Sequence, residues 1–400
     1  MQPRVLIGRG IARGVTSPWR LAGVRRLHAL RRRLSGQPPK LHYFHQFDDP
    51  YSQLAAGQLP MLAERYRIQI EAHAVPSPEA AAAPAAAALQ DWSRRDAARW
   101  AAFHGLAPPR ADDMPPGLAA TPLTLSSGAA LRRRLGHYLG AMVHFEGEWY
   151  WGLDRLHYLE TRLAEAGLAK DDRGPRFPPP PLRVLPQRPL VTAGLDPAAS
   201  PAATPTLDFF CSLRSPYTWL AIGRARALAR HYGATLRLKF VLPMVMRGLP
   251  VPLAKRLYIL ADAKREADRL GLPFGDVADP VGRPVERGLA VLHHAIGCGR
   301  GEEFLESFLR GVFAEGVDAG SGRGLTRLAV RAGLDAAAVA DALQDESWRE
   351  RATVHREELI ATGLWGVPCF RAGGLPALWG QDRLWMLEQD LLAMTPEAAS

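Results

Sequence analysis

The chain is poor in cysteine and holds no Cys-x-x-Cys pair. Its three cysteines, Cys211, Cys298 and Cys369, have neither metal-ligand spacing nor the even count of a disulfide framework. That argues against a self-contained dithiol redox centre and points to a reducing, cytoplasmic compartment. No apolar run approaches the roughly 20 residues of a membrane span. The first 47 residues lack Asp and Glu altogether, yet they carry nine arginines and Lys40. The net charge of +10 therefore sits in this segment, and the remainder of the chain is formally balanced.

Residues 1–39 read as a solvated basic extension, as blocks of like charge commonly are. A sharper reading exists, because Arg25-Arg26 and Arg31-Arg32-Arg33 are spaced with Leu27, Leu30 and Leu34. That pattern suits a peripheral contact with anionic lipid or nucleic acid. Arginines interrupt every candidate apolar core of a secretory signal, while an Arg-rich transit peptide stays open. The chain's 400 residues suit two or three domains with ample buried core.

The run from Leu207 to Ala221 (LDFFCSLRSPYTWLA) carries the most chemistry. Apolar residues lead in, a Ser215-Pro216 step breaks the strand, and a helical pattern begins. Ser is a favoured N-cap and Pro a favoured first helical residue. A helix start presents unpaired N–H groups and about half a positive charge. An anion placed there is stabilised, and a thiolate is one such anion. With no cysteine pair, any sulfur at this site arrives with a ligand.

Further matches follow in order: Tyr258-x-x-x-Asp262-x-x-Arg265-x-Ala267-x-x-Leu270-Gly-Leu-Pro-Phe274, then Phe308 to Asp318, Gly366-Val-Pro-Cys-Phe370 and Trp379-Gly-Gln-Asp-Arg-Leu384. Together they make residues 206–394 resemble the glutathione-dependent branch of the DsbA-like thioredoxin superfamily. This branch holds 2-hydroxychromene-2-carboxylate isomerases and kappa-class glutathione transferases. The resemblance implies that Ser215 contacts the glutathione sulfur and that the Val367–Pro368 backbone, with a cis bond, pairs with its cysteinyl part. It also implies that Gln381 and Asp382 bind the γ-glutamyl end. Glutathione would be the cofactor and a small electrophilic aromatic compound the substrate. Pro284-Val-Glu-Arg287 departs from the Pro-x-Asn-Thr of many isomerases, leaving isomerase and transferase both open.

The first half repeats this frame. An offset of 166 places Pro50-Tyr51 on Pro216-Tyr217, Asp96 on Asp262 and Arg99 on Arg265. Trp151-Gly-Leu-Asp-Arg-Leu156 matches Trp379 to Leu384 at an offset of 228, so the first copy lacks 62 residues of a helical insertion. The expected fold is α/β, two tandem thioredoxin-like domains of DsbA type with helical insertions. Residues 40–169 form a degenerate copy, 170–205 a Pro-rich linker and 206–394 the ligand-binding copy. Asp49 replaces Ser215 in the first copy, and Gly140-Ala141-Met142 stands for Gly366-Val367-Pro368. Asp caps as well as Ser, but its charge would repel a thiolate. The first copy thus reads as a catalytically dead packing or recognition domain.

In the second copy the pattern predicts a strand over Leu236–Val241 and helices over Pro252–Leu270, Glu302–Ala314 and Leu325–Ala332. Ala336–Gly363 is helical in pieces, Cys369–Leu378 is a hairpin and Arg383–Leu392 the last helix. Ala80–Ala88 reads as an expanded loop. Cys211 and Cys369 read as buried strand residues. Tyr217 and Trp219 would flank the sulfur site. His293-His294 lack a Cys or carboxylate at ligand spacing, so no metal is expected. Two other functions remain: a non-catalytic module that holds a protein partner beside Pro368, and dithiol redox catalysis, which the cysteine spacing disfavours.

Overall fold

A computed structural model describes residues 3–79, 86–179, 204–249 and 251–394. In chain order the elements are α1 (Pro3–Thr16), α2 (Pro18–Ser35), β1 (Lys40–His45), α3 (Pro50–Ala56), α4 (Leu59–Arg65), β2 (Gln69–Ala74), α5 (Ala86–Phe103), α6 (Pro122–Leu135), β3 (Met142–Phe145), β4 (Glu148–Trp151) and α7 (Leu156–Glu165). The second half runs β5 (Thr206–Cys211), α8 (Pro216–His231), β6 (Thr235–Phe240), α9 (Leu253–Leu270), α10 (Arg283–Gly297), α11 (Gly301–Ala314), α12 (Gly322–Arg331), α13 (Ala336–Ala342), α14 (Trp348–Ala361), β7 (Cys369–Ala372), β8 (Leu378–Trp379) and α15 (Leu384–Met394). Most of the Pro-rich linker and most of the Ala80–Ala88 stretch lie outside the described residues.

The described chain divides into two compact units. One takes its residues from 17–179 and 251–258, the other from 3–16, 204–249 and 259–394. Each is built on a four-stranded sheet, ordered β2-β1-β3-β4 in the first unit and β6-β5-β7-β8 in the second. In both, the first pair is parallel and the other two pairs are antiparallel. A parallel pair requires a crossover, and α3–α4 or α8 supplies it. The expected α/β class, thioredoxin-like sheets with helical insertions, is what the chain forms.

The basic extension is helical rather than a tail. Ser17 caps α2 through Arg20 N–H, Pro18 opens it, and Gly36 closes it in the left-handed region at φ 63°. On one side of α2, Arg25 pairs with Glu148 at 2.8 Å and Arg32 with Glu146 at 2.5 Å.

The two units share a contact as well as a sheet order. Tyr51 Oη donates to Asp96 Oδ2 at 2.6 Å, and Tyr217 Oη donates to Asp262 Oδ2 at 2.8 Å. The structure corrects one sequence pairing. Gly152 N–H donates to the Ala141 carbonyl, as Gly380 N–H does to that of Pro368. Across the sheet Phe44 faces Met142, as Phe210 faces Cys369. Ala141 therefore takes the place of Pro368, and Met142 that of Cys369. The cause is a shorter hairpin: Met142 pairs with Trp151, nine residues on, whereas Cys369 pairs with Trp379, ten residues on.

In the first unit α6 is pressed against β2 at Gly128, where an added Cβ would stand 2.0 Å from the Ala74 carbonyl oxygen. Gly128→Ala should lower the stability of that unit by about 1–3 kcal/mol through forced displacement of packed backbone. Gly223→Ala, where nothing lies within 4 Å, should instead gain about 0.5–1 kcal/mol from helix propensity. Urea unfolding of both variants measures the two signs.

Candidate functional site

The helix α8 begins where the sequence places it. Ser215 has extended backbone (φ −100°, ψ 112°) and its hydroxyl accepts from Thr218 N–H at 3.2 Å. The same hydroxyl donates to the Val367 carbonyl at 3.3 Å, across 152 residues of chain. The Val367–Pro368 peptide bond is cis. Ser215, Val367 and Pro368 are thus brought together at the N-terminus of a buried helix. Val367 is half-buried. Its N–H has no hydrogen-bond partner among the described residues. Beside Ser215, the buried hydroxyls of Ser212 and Thr218 likewise have no partner there.

Gly366 is locked by the ring of Trp379, which a Cβ would meet at 2.2 Å. Cys369 is fully buried and its thiol donates to the Gly366 carbonyl at 3.1 Å. Burial pushes the thiols of Cys369 and Cys211 up, so neither supplies a thiolate near neutrality. Trp219 turns its indole N–H to the Pro273 carbonyl at 3.1 Å, and Tyr217 is held by Asp262. Both aromatics are structural as placed.

Gln381 departs from expectation. It is 1% exposed, and its amide is consumed on both sides: Arg224 donates to Oε1, and Nε2 donates to Glu266 Oε2 at 2.7 Å. Glu266 in turn pairs with Arg269 at 2.9 Å. Burial draws the Arg224 guanidinium down to about 10. This network ties α8, α9 and the turn before α15 together, so Gln381 works as a brace in this conformation and is not presented to a ligand. Asp382 lies at the buried edge of the same turn, with Oδ1 3.4 Å from Arg383 Nη1. Arg224 and Glu266 could not be singled out from the sequence, because their meaning depends on two helices and a turn converging.

Pro284 and Arg287 lie on α10, and Arg287 reaches the Gly320 carbonyl at 3.3 Å. His293 and His294 line a separate concavity of about 490 Å³ with Leu238, Phe240, Cys298 and His355. There His294 Nε2 lies 3.5 Å from the exposed Cys298 sulfur.

The first unit carries an inverted version of the cap. Asp49 accepts from the N–H groups of Tyr51 and Ser52. Its Oδ2 also accepts from Ser52 Oγ at 2.7 Å, and Ser52 Oγ accepts from Ala141 N–H at 2.7 Å. Burial, against these hydrogen bonds, pushes the Asp49 carboxyl up to about 6.

A sheet of this order, with a helix N-terminus facing a residue–cis-proline step, defines the class: a thioredoxin-like domain. Residues 206–392 match the family described as the DSBA-like thioredoxin domain, and this part of the chain is a DsbA-like thioredoxin domain. No curated protein sequence gave a significant match. Among solved structures, the chain is similar to a 2-hydroxychromene-2-carboxylate isomerase at 24% identity and TM-score 0.41, covering 47% of this chain and 95% of that one. It is also similar to DsbM, a cytosolic disulfide reductase from Pseudomonas aeruginosa, at 22% identity and TM-score 0.38, covering 47% of this chain and 99% of that one. The same reductase with GSH matches at 20% identity and TM-score 0.35, covering 47% and 96%.

A folded-state pKa of about 6 against an ordinary 3.8 means that Asp49 favours the native state when protonated. Its contribution is full below pH 4 and is lost as pH rises through 6. Asp49→Asn keeps an acceptor for Ser52 and cannot ionise. Relative to the parent, this variant should gain about 1–2 kcal/mol between pH 4 and pH 7. Denaturant unfolding at both pH values reads the difference.

Proposed function

We propose that the second unit binds glutathione at Ser215 and Val367 and uses its thiolate as a nucleophile toward a small conjugated aromatic electrophile. The observation that carries this is the Ser215 hydroxyl, set at the helix N-terminus beside the half-buried Val367 N–H. That N–H suits the carbonyl of the cysteinyl residue, and the Val367 carbonyl suits its amide. Rotation of the hydroxyl away from Val367 would aim its proton at the bound sulfur. A helix N-terminus contributes about 0.3–1 kcal/mol, up to about 2 when partly buried. A hydrogen bond to a charged acceptor adds about 1.5–3 kcal/mol. Together they would lower a thiol pKa by about one to four units.

The thiolate would add to a conjugated carbon, forming a C–S bond and pushing the electron pair onto the carbonyl as an enolate. For an isomerase, rotation about the former double bond and expulsion of the thiolate complete the cycle. For a transferase, protonation of the enolate leaves the conjugate. The buried Cys369 and Cys211 thiols speak against dithiol exchange. A partner-holding module would use the same Val367 backbone but has no reason to bind the free tripeptide. Gln381 needs no role in this reading, and the γ-glutamyl contact falls to Asp382 alone.

Calorimetric titration of the full chain with glutathione should give one site. Ser215→Ala should weaken it about tenfold, equivalent to about 1.4 kcal/mol. Ser215→Asp should abolish it by like-charge repulsion, and Asp49→Ser should leave stoichiometry at one. Absence of tripeptide binding in the parent, or full affinity in Ser215→Asp, overturns the assignment. Insulin-disulfide reduction should be negligible.

The helix α2 gives the chain a second class of partner, an anionic lipid surface. Trp19, Leu27, Leu30 and Leu34 are exposed, Trp19 at 85%, and their spacing puts them on one stripe. Arg20 and Arg31 flank it on one side, Arg26 and Arg33 on the other. The opposite side is the one held by Glu146 and Glu148. An apolar stripe between arginines is the pattern of a helix lying in a membrane interface. The protein should co-sediment with phosphatidylserine-containing vesicles and not with pure phosphatidylcholine. Leu30→Glu with Leu34→Glu should remove that binding.

A further inference from the structure

We propose that His42, Glu71 and His73, in the first unit, form a binding site for a divalent transition-metal ion of the zinc type. The site is independent of glutathione and of the second unit's chemistry. Among the described residues these three form a cluster whose donor atoms all lie within 4.8 Å of one another. His42 Nδ1 stands 3.1 Å from His73 Nε2 and 3.4 Å from Glu71 Oε2. Two donors on a tetrahedral ion with bonds of about 2.0–2.1 Å stand about 3.3 Å apart. Two of the three donor pairs already hold that spacing, and the third, Glu71 with His73, lies within 4.8 Å, so side-chain rotation of Glu71 or His73 closes the set on an ion.

Backbone pairing sets the arrangement. In the parallel β1–β2 pair, His42 faces Glu71 and Phe44 faces His73, which puts the donors on one face of the sheet. The His73 ring stacks on Phe44 at 5.2 Å between centroids, which fixes its plane. Strand β2 is the edge of its sheet and all three side chains are half-buried, so an ion can enter from solvent.

A second observation points the same way. His144 faces His42 across β1–β3, with ring centroids 6.2 Å apart. It is nearly buried, and its Nδ1 has no hydrogen-bond partner among the described residues. It places a further imidazole beside the cluster.

The chemistry of the donors fits. Metal entry shifts the ring proton of the His42–His73 hydrogen bond to a distal nitrogen, with no net proton lost. Lys40 holds Glu71 through Oε1 at 2.6 Å, while Oε2 faces His42, so the ion pair can persist. Two imidazoles and a carboxylate suit Zn²⁺, Co²⁺ or Ni²⁺ and leave an open position.

The test is titration of the full, metal-free chain with Zn²⁺ at pH 7, and with Co²⁺ for its visible spectrum. One ion should bind per chain. The Co²⁺ form should show d–d bands of four-coordinate intensity and no thiolate charge-transfer band. Glu71→Gln and His73→Ala should each weaken binding by about 10–100-fold or more. Cys298→Ser and His294→Ala, which remove the sulfur–imidazole pair of the second unit, should change nothing. Glu71→Gln is isosteric, so a folded Gln variant that has lost the ion supports the site even if His73→Ala unfolds. Parent-like binding in Glu71→Gln, loss in Cys298→Ser, or no Zn²⁺ bound by the parent overturns it.

Discussion

The tie between the start of a helix and the loop before the third strand organises both units. In the second unit the tie is one hydroxyl: Ser215 Oγ takes the Thr218 N–H and gives its proton to the Val367 carbonyl. In the first unit the loop turns the opposite group inward. Ala141 offers an N–H, Ser52 Oγ accepts it, and Asp49 accepts from Ser52. A loop that offers an acceptor calls for a donor at the cap. A loop that offers a donor calls for an acceptor one step further on. The Ser-for-Asp exchange is therefore not arbitrary, because each residue matches the polarity of its own loop. Only the second arrangement has the cap hydroxyl itself donating across to the loop.

Local features of the fold were legible in the sequence. Ser215-Pro216 announces the cap and the helix. The 166-residue offset announces the shared strand–helix opening, since nothing is inserted between Phe44 and Gly105. Register was less legible. Ala141, not Met142, stands at the proline position, because the first hairpin is one residue shorter, and a motif alignment cannot see a hairpin's length. The setting of Gln381 was hidden for another reason. Its sequence neighbours match a ligand motif, but Arg224 and Glu266 arrive from helices far along the chain and consume its amide. The His42–Glu71–His73 cluster had no sequence signal, because its spacing depends on how β2 registers against β1.

Arginine chemistry runs through both units and does two different jobs. Arg226 binds Glu302, Glu303 and Glu306 on α11, fastening α8 to the helical insertion. Asp208, buried in β5, is held by Arg237 and Arg371 from both neighbouring strands. A buried carboxylate left alone would cost several kcal/mol, so such partners are requirements of folding. Exposed pairs such as Arg110–Asp112 are screened by solvent and contribute little. Arginine's excess over lysine suits the first role, since its fork can meet two carboxylates at once.

The paired struts Tyr51–Asp96 and Tyr217–Asp262 sit the same 45 residues apart in both units. Each fixes the first helix to the first helix of its insertion, and the missing 62 residues all fall after the strut. Everything upstream of it is a closed frame, and everything downstream is an annex whose size the frame does not sense. Because the entropy of closing a loop grows only with the logarithm of its length, such an annex can be rebuilt around new ligands while the sheet and its cap stay as they are.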